Sequence, residues 1–134
     1  MQKNTAISHV VVYVSDIKKA REFYDKLMSF LGLPLIEAGD WHVGYGNDKT
    51  GFWLRNGEKA VKGKREVVGY DHVAFRAESR NEVDALQKLL EKEKFKILYS
   101  AEEHPEFVPG YYSVSFLDPD GTILEFVYIP GHGN

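Results

Sequence analysis

The sequence predicts an α+β protein made of two tandem copies of one strand–helix–three-strand (βαβββ) unit. Three observations point there. Two similar segments, Ser8-His9-Val10-Val11-Val12-Tyr13-Val14 and Asp71-His72-Val73-Ala74-Phe75-Arg76-Ala77, stand 63 residues apart, close to half the chain. Self-similarity at such a period marks a fold assembled from repeated supersecondary units. A capped helical pattern follows each segment. Short strand candidates follow each helix, separated by turn residues.

The elements run in order. Residues 7–14 are β-branched and apolar, as in a mostly buried strand. Ser15-Asp16 supplies a helix N-cap, and Ile17, Ala20, Phe23, Tyr24, Leu27 and Leu31 recur at helical spacing. Gly32 sits where a C-terminal glycine belongs, and Pro34 blocks continuation. Strands are expected at roughly 34–38, 41–46 and 50–55, with turns at Gly39-Asp40 and Gly46-Asn47-Asp48. The polar, glycine-containing stretch 56–69 reads as a solvated linker. The second unit opens with a strand at about 70–77 and a capping box, Ser79-Arg80-Asn81-Glu82. Val83, Leu86 and Leu90 mark the buried helix face. A strand near 95–99, a longer loop at 100–110, and strands at 111–117 and 122–129 complete it. Asp118-Pro119-Asp120-Gly121 is the hairpin turn between the last two. The whole chain, 1–134, is expected to be one domain, with units at about 7–55 and 70–129. The tail containing His132 is expected to be disordered.

Composition narrows the function. The net charge is −3 and no basic stripe is present, which argues against a nucleic-acid partner. Without cysteine there is no disulfide scaffold, thiolate metal site or cysteine nucleophile. No apolar run approaches a membrane span, and the N-terminus does not lead into a signal-peptide core. A cytoplasmic protein with no membrane partner is therefore expected.

The paired histidines suggest a site. His9 and His72 occupy equivalent points of the repeat, so they can meet near the axis relating the copies, as a metal site requires. Aligned at the final hairpins, Asp48 against Asp120, the units set Trp53 opposite Glu125. Of these four positions three carry good ligands, whereas the indole of Trp53 offers no acceptor lone pair. Period-two alternation places Tyr111, Ser113 and Ser115 on one face, and Tyr112, Val114 and Phe116 on the face under the helices. A polar face in an otherwise buried strand suits a lined cavity. Tyr111 is the candidate proton donor, with Ser113, Ser115 and Trp53 as candidate substrate contacts. Glu125, flanked by Leu124 and Phe126, needs a cation or base as partner, and Arg76 is the alternative to a metal. His42 and His104 are further acid/base candidates whose positions the pattern leaves open.

His9 with Val14-Ser15-Asp16, Phe23-Tyr24 and Leu31-Gly32-Leu33, then Asp71-His72-Val73-Ala74-Phe75, Phe116-Leu117-Asp118-Pro119-Asp120-Gly121 and Ile123-Leu124-Glu125, form an ordered set over about 7–129. In that set the chain resembles the vicinal oxygen chelate superfamily, the glyoxalase, bleomycin-resistance and extradiol (ring-cleavage) dioxygenase group. The resemblance implies a glyoxalase-like fold: two curled mixed sheets jointly forming a cup around one divalent metal (Fe2+, Mn2+, Zn2+ or Ni2+), commonly in a homodimer. Carried over by position, the metal ligands are His9, His72 and Glu125. The family's fourth ligand position, a glutamate in typical glyoxalase I enzymes, falls on Trp53. The implied function is a metalloenzyme holding a small molecule by adjacent oxygens, most like a ring-cleavage dioxygenase site. A glyoxalase-type lyase or isomerase, a fosfomycin-type resistance enzyme and a metal-free antibiotic-binding protein are the alternatives. No cation follows Glu125 to grip a phosphonate.

Overall fold

The computed structural model describes residues 5–58 and 69–131, so residues 59–68 of the expected linker and the tail with His132 lie outside the described residues. The chain divides into two compact units, 1–60 and 61–134. Each holds a helix and a four-stranded mixed sheet, in the βαβββ order.

In the first unit β1 (His9–Val14) leads into α1 (Ile17–Leu31), then β2 (Leu35–Ala38), β3 (His42–Gly46) and β4 (Gly51–Asn56). The sheet order is β1-β4-β3-β2, with β1 parallel to β4 and the other pairs antiparallel. The helix explains the parallel pair, because parallel strands need a crossover. Asp16 caps α1 by accepting from the Lys19 N–H, and Gly32 ends it at φ 75°, a left-handed conformation that glycine adopts at least cost. The helix buries Ile17, Ala20, Phe23, Tyr24, Leu27 and also Met28, while Leu31 at the last turn is only partly covered. Val12, Val14, Val43, Tyr45, Phe52 and Leu54 form the sheet side of that core. Tyr45 donates its hydroxyl to Asp25 Oδ1 at 2.7 Å, tying β3 to α1. Alternation then exposes the opposite face, with Val11 40% and Tyr13 64% exposed.

The second unit repeats the plan with β5 (Val73–Arg76), α2 (Arg80–Lys92), β6 (Ile97–Glu103), β7 (Tyr112–Leu117) and β8 (Ile123–Tyr128), in the order β5-β8-β7-β6. Val83, Leu86 and Leu90 of α2 pack against Val114, Phe116, Leu124 and Phe126. At the hairpin, Asp118 Oδ1 accepts from the N–H groups of Asp120 and Thr122, and Gly121 takes φ 86°.

Four expectations change. The strand at 70–77 shrinks to Val73–Arg76, which leaves His72 just before it. The strand near 95–99 runs through Glu103, because irregular pairing with β7 carries it past Tyr99, so only residues 104–111 remain as connection. The capping box is half formed: Ser79 accepts from the Glu82 N–H, but the Glu82 carboxylate reaches the N–H of Glu78 instead. Tyr112 is not core. It lies against the first turn of α2, its hydroxyl on Asp84 at 2.6 Å and its ring under the Arg80 guanidinium.

Leu54 is fully enclosed. Leu54→Ala should therefore cost about 2–5 kcal/mol in denaturant unfolding; a loss under about 0.5 kcal/mol would contradict this packing.

Candidate functional site

The buried carboxylate of Glu125 is the centre of the second unit's site. It stands on β8 opposite Ala74 of β5 and Ser115 of β7, and is 6% exposed. Burying a carboxylate is costly unless charge and hydrogen bonds compensate. Two groups do so: His72 Nε2 lies 3.0 Å from Oε1, and the Tyr111 hydroxyl donates to Oε2. These partners replace the expected alternative, Arg76, which is exposed. Burial and the adjacent carboxylate together raise Tyr111 well above the usual phenol range, so it remains a neutral donor.

His72 is held on its other side as well. Its Nδ1 N–H donates to Asp71 Oδ2 at 2.8 Å, which turns Nε2 toward Glu125. Two lone pairs would repel at 3.0 Å, so this approach requires a proton or a cation between Nε2 and Oε1. Two ligands at about 2.1 Å from one ion and at right angles to each other also stand about 3.0 Å apart. An imidazole nitrogen and a carboxylate oxygen suit divalent iron, manganese, zinc or nickel. The pair therefore fits two adjacent positions of such an ion, with Asp71 and Tyr111 orienting the donors. Among the described residues no group of three or more His, Asp or Glu side chains gathers as a metal site.

The pair faces a cleft of about 700 Å³. Tyr111, Ser113 and Ser115 line it, as their alternation predicts, together with Leu98, Tyr99, His104, Phe107 and Ile123. Among the described residues none of the lining side chains is Lys or Arg. His104, left open by the sequence, enters here through the short connection after β6.

In the first unit His9 repeats the local arrangement of His72. The side chain of the preceding residue, Ser8 Oγ, lies 3.1 Å from Nδ1. His9 shares a cavity of about 400 Å³ with Val11, Trp53 and Arg55. Trp53 forms its wall, with the indole lying against Gly44, where a Cβ would stand 2.5 Å from the ring. Arg55 was missed by the sequence reading, although its separation of two residues from Trp53 on one strand was the available signal. Its guanidinium lies over the Trp41 ring. His42 stands outside this cavity, packed between Trp41 and Trp53, with Nε2 3.3 Å from Glu37 and Nδ1 buried with no partner among the described residues.

Fold and site together define a duplicated βαβββ protein with an open cleft in its second unit. The chain belongs to the Glyoxalase/Bleomycin resistance protein/Dioxygenase superfamily, whose family model matches residues 6–126. It is 32% identical to the uncharacterised protein YqjT of Bacillus subtilis, over 89% of this chain and 95% of that one. It is 30% identical to the metallothiol transferase FosB of Lysinibacillus sphaericus, over 90% of this chain and 80% of that protein. Among solved structures, a candidate glyoxalase from Bacillus halodurans superposes with a TM-score of 0.78 at 28% identity, covering 92% of this chain and 95% of that one. A lactoylglutathione lyase from Agrobacterium tumefaciens, at 22% identity and TM-score 0.72 over 99% and 100% of the two chains, shares the fold.

The elevated Tyr111 hydroxyl is open to spectrophotometric titration of the metal-free protein. Tyr111→Phe should remove phenolate absorbance only from the part of the curve above about pH 10, the ordinary tyrosine range. Removal of absorbance below that range would contradict the Glu125 contact.

Proposed function

We propose that the protein is a divalent-metal enzyme acting on a small molecule that bears adjacent oxygens, with His9, His72 and Glu125 as ligands. The observation that carries this reading is the 3.0 Å approach of His72 Nε2 to Glu125 Oε1 over an open cleft. The contact of Asp71 on Nδ1 of His72 adds to it, since a carboxylate there accepts the Nδ1 proton and leaves Nε2 free to ligate; Ser8 stands at the same place beside His9 Nδ1. Two histidines and one carboxylate leave positions open for substrate, and the ion supplies Lewis acidity toward its oxygens. Tyr111 donates its O–H to the second oxygen of Glu125 and so offers the cleft its ring and hydroxyl lone pairs. Ser113 and Ser115 offer hydroxyls to orient the substrate, and Trp53 offers a flat apolar wall. A ring-cleavage type of chemistry suits this set best, because Trp53 occupies the place where glyoxalase I has a proton-transferring glutamate. Detectable turnover of hemithioacetals would overturn that assignment.

A second reading is favoured by the likeness to a metallothiol transferase. In it His9, His72 and Glu125 would hold an ion supplying Lewis acidity to the electrophile that a thiol attacks, and Arg55, in the cavity with His9 and Trp53, would meet a negative charge on that electrophile. Oxygen uptake with catechols and Fe2+, set against loss of L-cysteine thiol with fosfomycin and Mn2+, separates the two. Part of the proposal is a homodimer in which a second copy covers exposed rings such as Tyr13; sedimentation would read it directly.

Calorimetric titration with Mn2+ or Zn2+ tests the metal reading. His72→Ala should weaken binding more than about 100-fold, and Asp71→Ala about 10–100-fold. A wild-type protein that takes up neither ion, or a His72→Ala protein that binds as wild type, would defeat it.

A further inference from the structure

Arg55 of the first unit is a cation held by rings rather than by an acid. Arg21 and Arg80 lie against the carboxylates of Asp25 and Glu103, whereas among the described residues no carboxylate pairs with Arg55. Its guanidinium stands over the Trp41 ring, 5.7 Å from the centroid. In the sheet it lies between Tyr13 of β1 and His42 of β3, with Trp53 two residues before it on β4. A ring face attracts a guanidinium without accepting its N–H groups, so the fork keeps its donors for a guest. The wall beside it is rigid. The Trp53 indole lies on Gly44, where a Cβ would stand 2.5 Å from the ring, and His42 stacks on it at 6.4 Å and 23°. His42 is fixed in turn by Gly39, where a Cβ would stand 2.9 Å from the imidazole. Arg55 and Trp53 share their cavity of about 400 Å³ with His9 and Val11.

We propose that this cavity is a carboxylate subsite, in which Arg55 grips the acid group of a flat monocarboxylate and Trp53 covers its body. The thiol-transfer reading asks Arg55 to meet the charge of one electrophile; this assignment needs neither a thiol nor an ion. Geometry and charge choose the ligand. The guanidinium fork matches the two oxygens of a carboxylate in one plane. One arginine among the described lining residues balances one negative charge. A phosphonate or phosphate dianion would keep a second charge against the apolar Val11 and Trp53. The indole face suits a planar body, which it meets by stacking. The cleft of the second unit offers an acid group the opposite surroundings. Its described lining holds Asp71 and Glu125 with no Lys or Arg, and its His104 is tied through Nδ1 to Glu106 Oε1 at 2.9 Å. Trp41 acts through Arg55 and is a positioning residue, since its ring sets where the guanidinium lies.

Tryptophan fluorescence tests this directly, because the two tryptophans of the chain, Trp41 and Trp53, both border the site. The full chain is titrated in EDTA at about pH 7.5, where benzoate is ionised, with benzoate, benzamide and methylphosphonate as probes. Benzoate should give a saturable change in the millimolar range. Benzamide, of the same shape without the charge, should bind about tenfold or more weakly. Arg55→Gln, at an exposed position that leaves the fold intact, should bring benzoate down to the level of benzamide. Arg55→Lys keeps the charge but not the fork, and should restore only part of the difference. Wild type without a saturable response to benzoate, or equal binding of benzoate and benzamide, overturns the subsite. An Arg55→Gln protein that binds benzoate as wild type does overturns the role of Arg55. Methylphosphonate bound more tightly than benzoate overturns the choice of a carboxylate. With the chelator present, none of these outcomes depends on metal uptake, so a failure here and a failure of the metal reading are told apart.

Discussion

The second unit is arranged around one constraint, a carboxylate buried on a central strand. Glu125 sits in β8 with β5 on one side and β7 on the other, and it is almost wholly removed from water. An uncompensated charge there would cost several kcal/mol, a large part of the stability of a small domain. The nearby groups follow from that need. His72 is turned toward one oxygen by Asp71, and Tyr111 is placed at the edge of β7 where its hydroxyl meets the other. The polar face of β7 follows too, since Ser115 pairs with Glu125 across the ladder. The arrangement that makes the burial tolerable is also the one that presents an imidazole nitrogen and a carboxylate oxygen side by side.

The first unit meets no such requirement, and its sequence diverges accordingly. Trp53 takes the position of Glu125, and Gly44 takes that of Ser115. The exchange is coupled, because the indole occupies the space a side chain at position 44 would need. The backbone plan survives the change: both units pair their first strand in parallel with their last and keep the same strand order. Duplication thus preserved the scaffold and the histidines, while one copy kept a charge and the other a flat apolar surface.

How much of this was legible in the sequence depended on the range of the interaction. Caps and turns are local, so Asp16, Gly32, Ser79 and Asp118 announced their roles. Period two is also local, and it placed Tyr111, Ser113 and Ser115 together on the cleft face. The same rule failed for Tyr112, because at the end of a strand the first turn of α2 draws the ring to the sheet margin. The extent of β6 was hidden because its irregular pairing with β7 interrupts alternation. The contact between His104 and Glu106 looked like ordinary loop polarity, since nothing local says which way a connection folds over a cleft. Arg55 carries no ligand chemistry, so only the shared face of β4 places it beside Trp53.

The central claim is that His72 and Glu125 form one edge of a metal site. X-ray absorption at the metal edge of the Mn2+- or Fe2+-loaded protein, with His72→Ala as comparison, tests it most directly. The account predicts a shell of nitrogen and oxygen ligands near 2.1 Å, with an imidazole contribution that falls in His72→Ala. An all-oxygen shell in the wild type, unchanged by that substitution, would contradict it.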